Sequence, residues 1–422
     1  MLTGLLQQLY SITDSLILGN FVGQSALTAV GSASPLLNVF LFVITGLVIG
    51  CTILVSHAYG ARDYQKIGRI TVTFSIFLTI GGIIAGVIGV LSNRSLLLLL
   101  NTPVEFLEDA VVFLTIMMVG MPFLVFYNLS SAVVRGIGDS KTPLYALIIT
   151  SIVNFSLNLI FVIGFHAGIA GSAWATVLSQ ILSAFFLLLV MRKMLRNFQF
   201  QASLAAIDLP IFQEGIRLSL PRVLLSFLSS GGSMLLQNVR NGLGYDAVTA
   251  ITTAYKIDTL IVLPATNIAT AVTIFTGQSL GAADHKRAEE GLRKGLQIVL
   301  IYTVVAAVLL VTIGSRVLGL FGISDKIVAL GQRFFLLCAF FYPIMGIKEV
   351  LLSYLQGCKD VIFVSLCAIA AMFVRVGLSY LLVDHLGFDM IAVAEMASWV
   401  FAACLAYWRY RIVKKRSIEK LK

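Results

Sequence analysis

Charge is what this chain has least of. Only 12% of its 422 residues are Asp, Glu, Lys or Arg, about half the share of an ordinary soluble domain. With 59% hydrophobic residues and a mean hydropathy of +0.97, that scarcity excludes a water-soluble protein. Cysteine is rare too. Cys51, Cys338, Cys358, Cys367 and Cys404 mostly lie within apolar segments and show no CxxC spacing. They read as small packing residues, not as disulfides or metal ligands. The histidines, His57, His166, His285 and His385, stand apart at span ends or in loops, and no HExxH, GxSxG or Walker loop occurs. An enzyme is therefore not expected, and no catalytic residue is named. Without a nucleotide-binding module ATP cannot drive work directly, which leaves an ion gradient. A basic n-region with a small-residue cleavage site is missing as well, so no cleavable signal peptide is expected.

Apolar runs of spanning length are what the chain does have. Spans are expected at 1–19, 26–56, 70–92, 108–134, 143–164, 168–191, 211–241, 247–277, 293–314, 327–356, 361–383 and 389–410. Several exceed the length a perpendicular helix needs, so tilting is expected, with bends at Pro35, Pro122, Pro264 and Pro343. The net charge of +10 has to be read loop by loop and is no nucleic-acid signal. Loops after even-numbered spans are basic, with Arg62, Lys66 and Arg69, Arg192, Lys193 and Arg196, and a tail from Arg409 to Arg416. Opposite loops hold scattered cations such as Arg94, Arg240 and Arg316. The positive-inside rule then places both termini in the cytoplasm of a multi-pass cell-membrane protein.

Shifting the chain by 221 residues lays it on itself without a gap. Gly23–Val30 falls on Gly244–Ile251, Gly60–Asp63 on Gly281–Asp284, and Pro122 on Pro343. Gly136 and Asp139 fall on Gly357 and Asp360. Six spans per copy give the copies the same orientation, the parallel-repeat arrangement of transporters. The seventh span begins near Ile211 and carries Pro221, positions whose counterparts fall at or before Met1. The first copy is therefore expected to lack its first helical turns.

Four motifs, in order and in the matching loops, resemble the multidrug and toxic compound extrusion (MATE) family. They are Gln7–Gly19, His57–Ala61 after span two, Val134–Ser140 after span four and Gly277–Ala282 after span eight. The resemblance covers the whole chain apart from the expected missing start. It implies an all-α polytopic membrane protein: twelve transmembrane helices in two six-helix lobes, 1–200 and 201–422, around a V-shaped central cavity. It also implies a secondary antiporter exporting organic, often cationic, compounds in exchange for H⁺ or Na⁺. The expected partners are a small organic substrate and the lipid bilayer, with no nucleic acid, nucleotide or cofactor and a monomeric state.

Asp14 is the one acid of the first span. A carboxylate there costs at least ~2.5–3.5 kcal/mol on insertion scales, so it reads as functional. No Lys or Arg lies within that span to pair with it. Asn154 and Asn158 are spaced i and i+4, so their amides share a helix face. From spacing alone, a cation site and an interhelical hydrogen bond stand level. The resemblance assigns them, with Asp14 and the Thr176 hydroxyl, to a proton or Na⁺ site. Some family members carry a second acid where this chain has Asn158.

The second copy differs. The counterpart of Asp14 is Leu235, and that of Asn154 is Arg375. Lys256, Asp258, Lys348, Glu349 and Arg375 are expected to form a second-lobe polar network, with purely structural ion pairs standing level as the alternative. A flippase of lipid-linked oligosaccharides is the runner-up function, because such cations could hold pyrophosphate.

Overall fold

The structure, a computed structural model, describes Asp14 and residues 17–100 and 102–419. Most of the expected span 1–19 lies outside the described residues, and so does the expected short start. Every regular element among the described residues is helical. After the helical stretch ending at Phe21 come α1 (Gln24–Gly60), α2 (Tyr64–Leu99), α3 (Val104–Val119), α4 (Met121–Gly136), α5 (Lys141–Asn158) and α6 (Gly168–Asn197). Then follow α7 (Leu209–Asn241), α8 (Tyr245–Gly281), α9 (His285–Gly319), α10 (Asp325–Ala339), α11 (Tyr342–Gly357), α12 (Val361–Leu386) and α13 (Met390–Glu419).

Among the described residues, seven helical stretches are long and apolar enough to cross a membrane, or nine when each bent pair counts as one span. One of the seven, Val361–Lys415, contains both α12 and α13. The 33-residue α7 is long enough, but Ser229–Ser233 dilutes its apolar character. With the segment carrying Asp14, these make the twelve expected spans.

The 221-residue shift holds at the level of the backbone. It takes α1 onto α8 and α4 onto α11 residue for residue, and the other paired helices to within a few residues, except that α12 runs on to Leu386 whereas α5 gives way after Asn158. Left-handed residues recur in the same register: Gly23 and Gly244, Arg62 and Ala283, Gly138 and Lys359, His166 and Gly387. A positive φ is unfavourable for any residue with a Cβ. That Arg62, Ala283, Lys359 and His166 accept it means the chain path dictates the turn in both halves. Helix starts are twinned as well. Asp63 accepts a hydrogen bond from the Lys66 amide and Asp284 from the Arg287 amide, both at 2.9 Å, satisfying amides that have no partner inside the helix.

Pro122 and Pro343 sit in the first turn of α4 and α11, where a missing N–H is harmless. The helix pairs meet there at 49° and 57°. Pro35 and Pro264, also expected as bend points, lie inside helices that run on unbroken.

The chain forms two compact units, divided between Ser219 and Leu220. Each has its own core, around Leu54, Ile67, Ile70 and Phe74 in one and Phe334, Phe335 and Tyr342 in the other. The division falls inside α7, beyond the 200/201 boundary expected from the sequence, because the start of that helix is bound to the first unit. The Asp208 carboxylate caps the Ile211 amide at 3.0 Å, and the Asp208 backbone amide donates to the Thr73 hydroxyl oxygen at 3.0 Å. Phe212 stacks on Phe77 at 4.4 Å. Ser219 Oγ accepts from the Gly50 amide at 3.1 Å and donates to the Leu47 carbonyl at 2.7 Å. Gly50 is needed at that crossing, since a Cβ on it would fall 2.1 Å from the Gly215 oxygen.

Candidate functional site

The four residues expected to hold a cation in the first half meet at one place. Asn158 Nδ2 donates to Asp14 Oδ1 at 2.8 Å and to Asn154 Oδ1 at 3.0 Å. It also lies 3.2 Å from the Asn154 backbone carbonyl. Asn154 Nδ2 in turn donates to Thr176 Oγ1 at 3.3 Å. Asn154 and Asn158 are almost wholly buried, and Thr176 nearly so. The i, i+4 spacing brings both amides to one face of α5, as the helix period requires.

The accounting of donors and acceptors is uneven. An amide nitrogen has two hydrogens, yet Asn158 Nδ2 faces three acceptors. Asn158 Oδ1 is buried and finds no partner among the described residues. No Lys or Arg among the described residues forms an ion pair with Asp14. The site thus gathers one carboxylate, two amide carbonyls and a hydroxyl without a fixed positive charge. Oxygen donors of that kind suit a hard cation or a proton.

Directly after Asn158, α5 widens into a π-helical turn, Leu159–Gly164. Such turns often occur at functional positions, because the extra residue reorients the side chains before it. The counterpart helix α12 continues as an ordinary α-helix to Leu386.

The second half holds a polar cluster of different chemistry. Arg375 Nη2 on α12 lies 2.6 Å from Glu395 Oε2 on α13 and 2.8 Å from the Tyr255 hydroxyl on α8. Tyr255 donates to Glu395 Oε2 at 2.9 Å and accepts from Arg240 Nη2 at 2.9 Å. The Arg240 guanidinium also covers the Tyr255 ring, 4.8 Å from its centre. Glu395 is 6% exposed. Asp258 accepts a hydrogen bond from Tyr342 and lies within electrostatic reach of Glu395 and Arg375.

The five second-lobe residues expected as one network do not form one. Arg375 joins Glu395 and Tyr255, with Asp258 beside them. Lys348 and Glu349 pair with each other at 2.6 Å. Lys256 lies apart, its ammonium 5.9 Å from the centre of the Phe321 ring.

Comparison with known proteins follows the repeat. The MatE family pattern matches twice, over residues 1–160 and again over residues 221–381. The chain belongs to the MatE family. It is 30% identical over 424 residues to the probable multidrug resistance protein YpnP of Bacillus subtilis, covering 99% of this chain and 94% of the relative. It is 26% identical over 432 residues to the probable multidrug resistance protein YoeA of the same organism, covering 100% and 93%. A crystal structure of MATE in the bent conformation superposes with a TM-score of 0.91 at 22% identity, covering 99% of this chain and 94% of that one. The fold is therefore the MATE fold, and the protein is a membrane transporter, not an enzyme.

Among MatE residues in this chain, the reading of the sequence passed over Glu395, Tyr255, Tyr342 and Arg240. Glu395 carried the same signal that singled out Asp14, an acid inside an apolar span. Arg240, expected among the outer-loop cations, lies in the last turn of α7.

Proposed function

We propose that this MatE protein is a secondary active antiporter that exports organic, often cationic, compounds from the cell in exchange for entering H⁺ or Na⁺. We place ion coupling at Asp14, Asn154, Asn158 and Thr176. Both termini lie in the cytoplasm on this reading, as the basic loops require. The relatives' names as multidrug resistance proteins support the substrate class.

One observation carries the assignment of the site. Asp14 is bound to an amide whose own carbonyl oxygen is buried without a partner among the described residues. A buried acceptor left unmade is costly, about 1–3 kcal/mol. A cation at this point relieves that cost: Na⁺ by accepting the oxygens of Asp14, Asn158 and Asn154, a proton by converting the Asp14 carboxylate into a donor. Either ion neutralises Asp14 and so competes with a cationic substrate for the same negative charge. The coupling is as large as the difference in ion affinity between the two states of the transporter.

A flippase binding pyrophosphate needs cations free to meet it. Arg375 and Lys348 are each bound to a carboxylate, which favours export over that reading. The test is whole-cell efflux of a fluorescent cationic dye, with the proton and sodium gradients collapsed in turn. Collapse of one gradient should abolish efflux, and Asp14→Asn should match that loss while the protein stays folded. Full efflux by Asp14→Asn would overturn the assignment.

A further inference from the structure

The polar cluster of the second half stands where the ion site of the first half stands within its own unit. Each joins the fifth and sixth helices of its repeat: Asn154 with Thr176 in one, Arg375 with Glu395 in the other. Arg375 is the 221-residue counterpart of Asn154. Each also reaches a helix at the start of its repeat, through Asp14 in the first and through Arg240 and Tyr255 in the second. The first half offers a carboxylate and amide oxygens. In the second half a guanidinium occupies the amide's position and touches a buried carboxylate at 2.6 Å.

We infer that Arg375 is a tethered cation: it fills a second cation site whose carboxylate is Glu395, and it holds the second half permanently in the ion-loaded condition. The inference rests on the coupling role assigned above to Asp14 and its neighbours. The contacts support it. Arg375 bonds directly to Glu395, whereas Arg240 bonds to the Tyr255 hydroxyl, not to the carboxylate. Removal of the Arg375 guanidinium therefore leaves Glu395 without its direct partner. A carboxylate so buried must then take up a cation from outside. One nitrogen of the Arg375 guanidinium, Nη2, serves both Glu395 Oε2 and the Tyr255 oxygen, contacts that a free guanidinium ion can also make. A transporter built this way binds a mobile coupling ion in one half only.

The test uses the full-length protein and guanidinium ion as the probe. Arg375→Ala should lose transport by roughly tenfold or more and melt at a lower temperature. Millimolar guanidinium should restore both, saturably. The wild type should show no such response, and neither should Arg375→Ala combined with Glu395→Gln, which has no charge left to neutralise. Arg375→Lys, which keeps a tethered charge, should transport without added guanidinium, and Arg375→Gln should not. A mere structural bridge would not change ion counting, so equilibrium binding of radioactive sodium to the purified protein is the second readout. Arg375→Gln should bind one sodium ion more than the wild type per chain. Asp14→Asn combined with Arg375→Gln should keep that added cation. If Asp14→Asn alone keeps full dye efflux while Arg375→Gln still gains a cation, the coupling assignment fails and the second site stands. If a folded Arg375→Ala neither responds to guanidinium nor binds an extra cation, or if Arg375→Gln transports while Arg375→Lys does not, the tethered-cation inference is overturned.

Discussion

Where the fifth helix of the first repeat carries Asn154, the same turn of the second carries Arg375. The backbones around them agree in helix limits, in left-handed turns and in the proline-marked bend. The side chains give opposite electrostatics. In the first half Asp14 accepts from the Asn158 amide, whose own carbonyl finds no partner among the described residues. In the second, Glu395 Oε2 accepts from a guanidinium and a phenol. Duplication of a helical unit thus preserves what the backbone needs, caps and turns and crossings, and leaves buried polar positions free to diverge. The π-helical turn after Asn158, absent after the counterpart Ser379, marks the same divergence in the main chain.

Substitutions can break or sharpen that contrast. The largest effect on stability is expected from Glu395→Ala. It strands a buried guanidinium and should cost about 3–5 kcal/mol, read as a lowered midpoint of thermal unfolding in detergent. Asp14→Asn should do the reverse, leaving unfolding nearly unchanged while cutting dye efflux by roughly tenfold or more. If both substitutions acted on stability alone, the two sites would be equivalent and the contrast would fall. Gly50→Ala should cost about 1–3 kcal/mol, because the start of α7 packs against it; its counterpart Ala271 already carries a Cβ. The smallest effects concern the shared frame. Asp63→Ala and Asp284→Ala should each cost about 1 kcal/mol, and unequal costs would show that the halves differ in more than their polar cores.

Loop chemistry gives one dependence on pH. Burial pushes the carboxyl of Asp139 up, but hydrogen bonds from the Thr142 hydroxyl and from the Thr142 and Lys141 amides outweigh it and hold the group below the usual carboxylate range. Its folded value is depressed, so its stabilising effect is complete at neutral pH and disappears only as pH falls through that lowered value. Asp139→Asn should flatten this acid limb of the stability profile and leave the neutral plateau's slope as it was.

Much of the fold was legible because membranes enforce it. Every backbone polar group in a bilayer must be satisfied within the segment, so apolar runs of spanning length become helices. The twelve spans and the 221-residue repeat follow from the order of residues alone, as does the pair Asn154 and Asn158 on one helix face. Asp14 stood out by its cost in an apolar span, and Asn158 was joined to it through the family resemblance. The partners of Arg375 were not legible. Glu395 lies 20 residues on and Tyr255 120 residues back, and no local period links positions on different helices. The same holds for the end of the first unit inside α7, which depends on Ser219 reaching Gly50 across 169 residues of chain.

Composition and periodicity therefore determined on their own that this is a helical, twice-repeated membrane protein with one acid in its first span; transport came from the family resemblance. Only the tertiary structure decided which buried charges neutralise one another. Helix formation is local, driven by the segment's own hydrogen bonds and the apolar solvent around it. Charge pairing depends on which helix faces meet, and that is settled by packing between segments far apart in the chain.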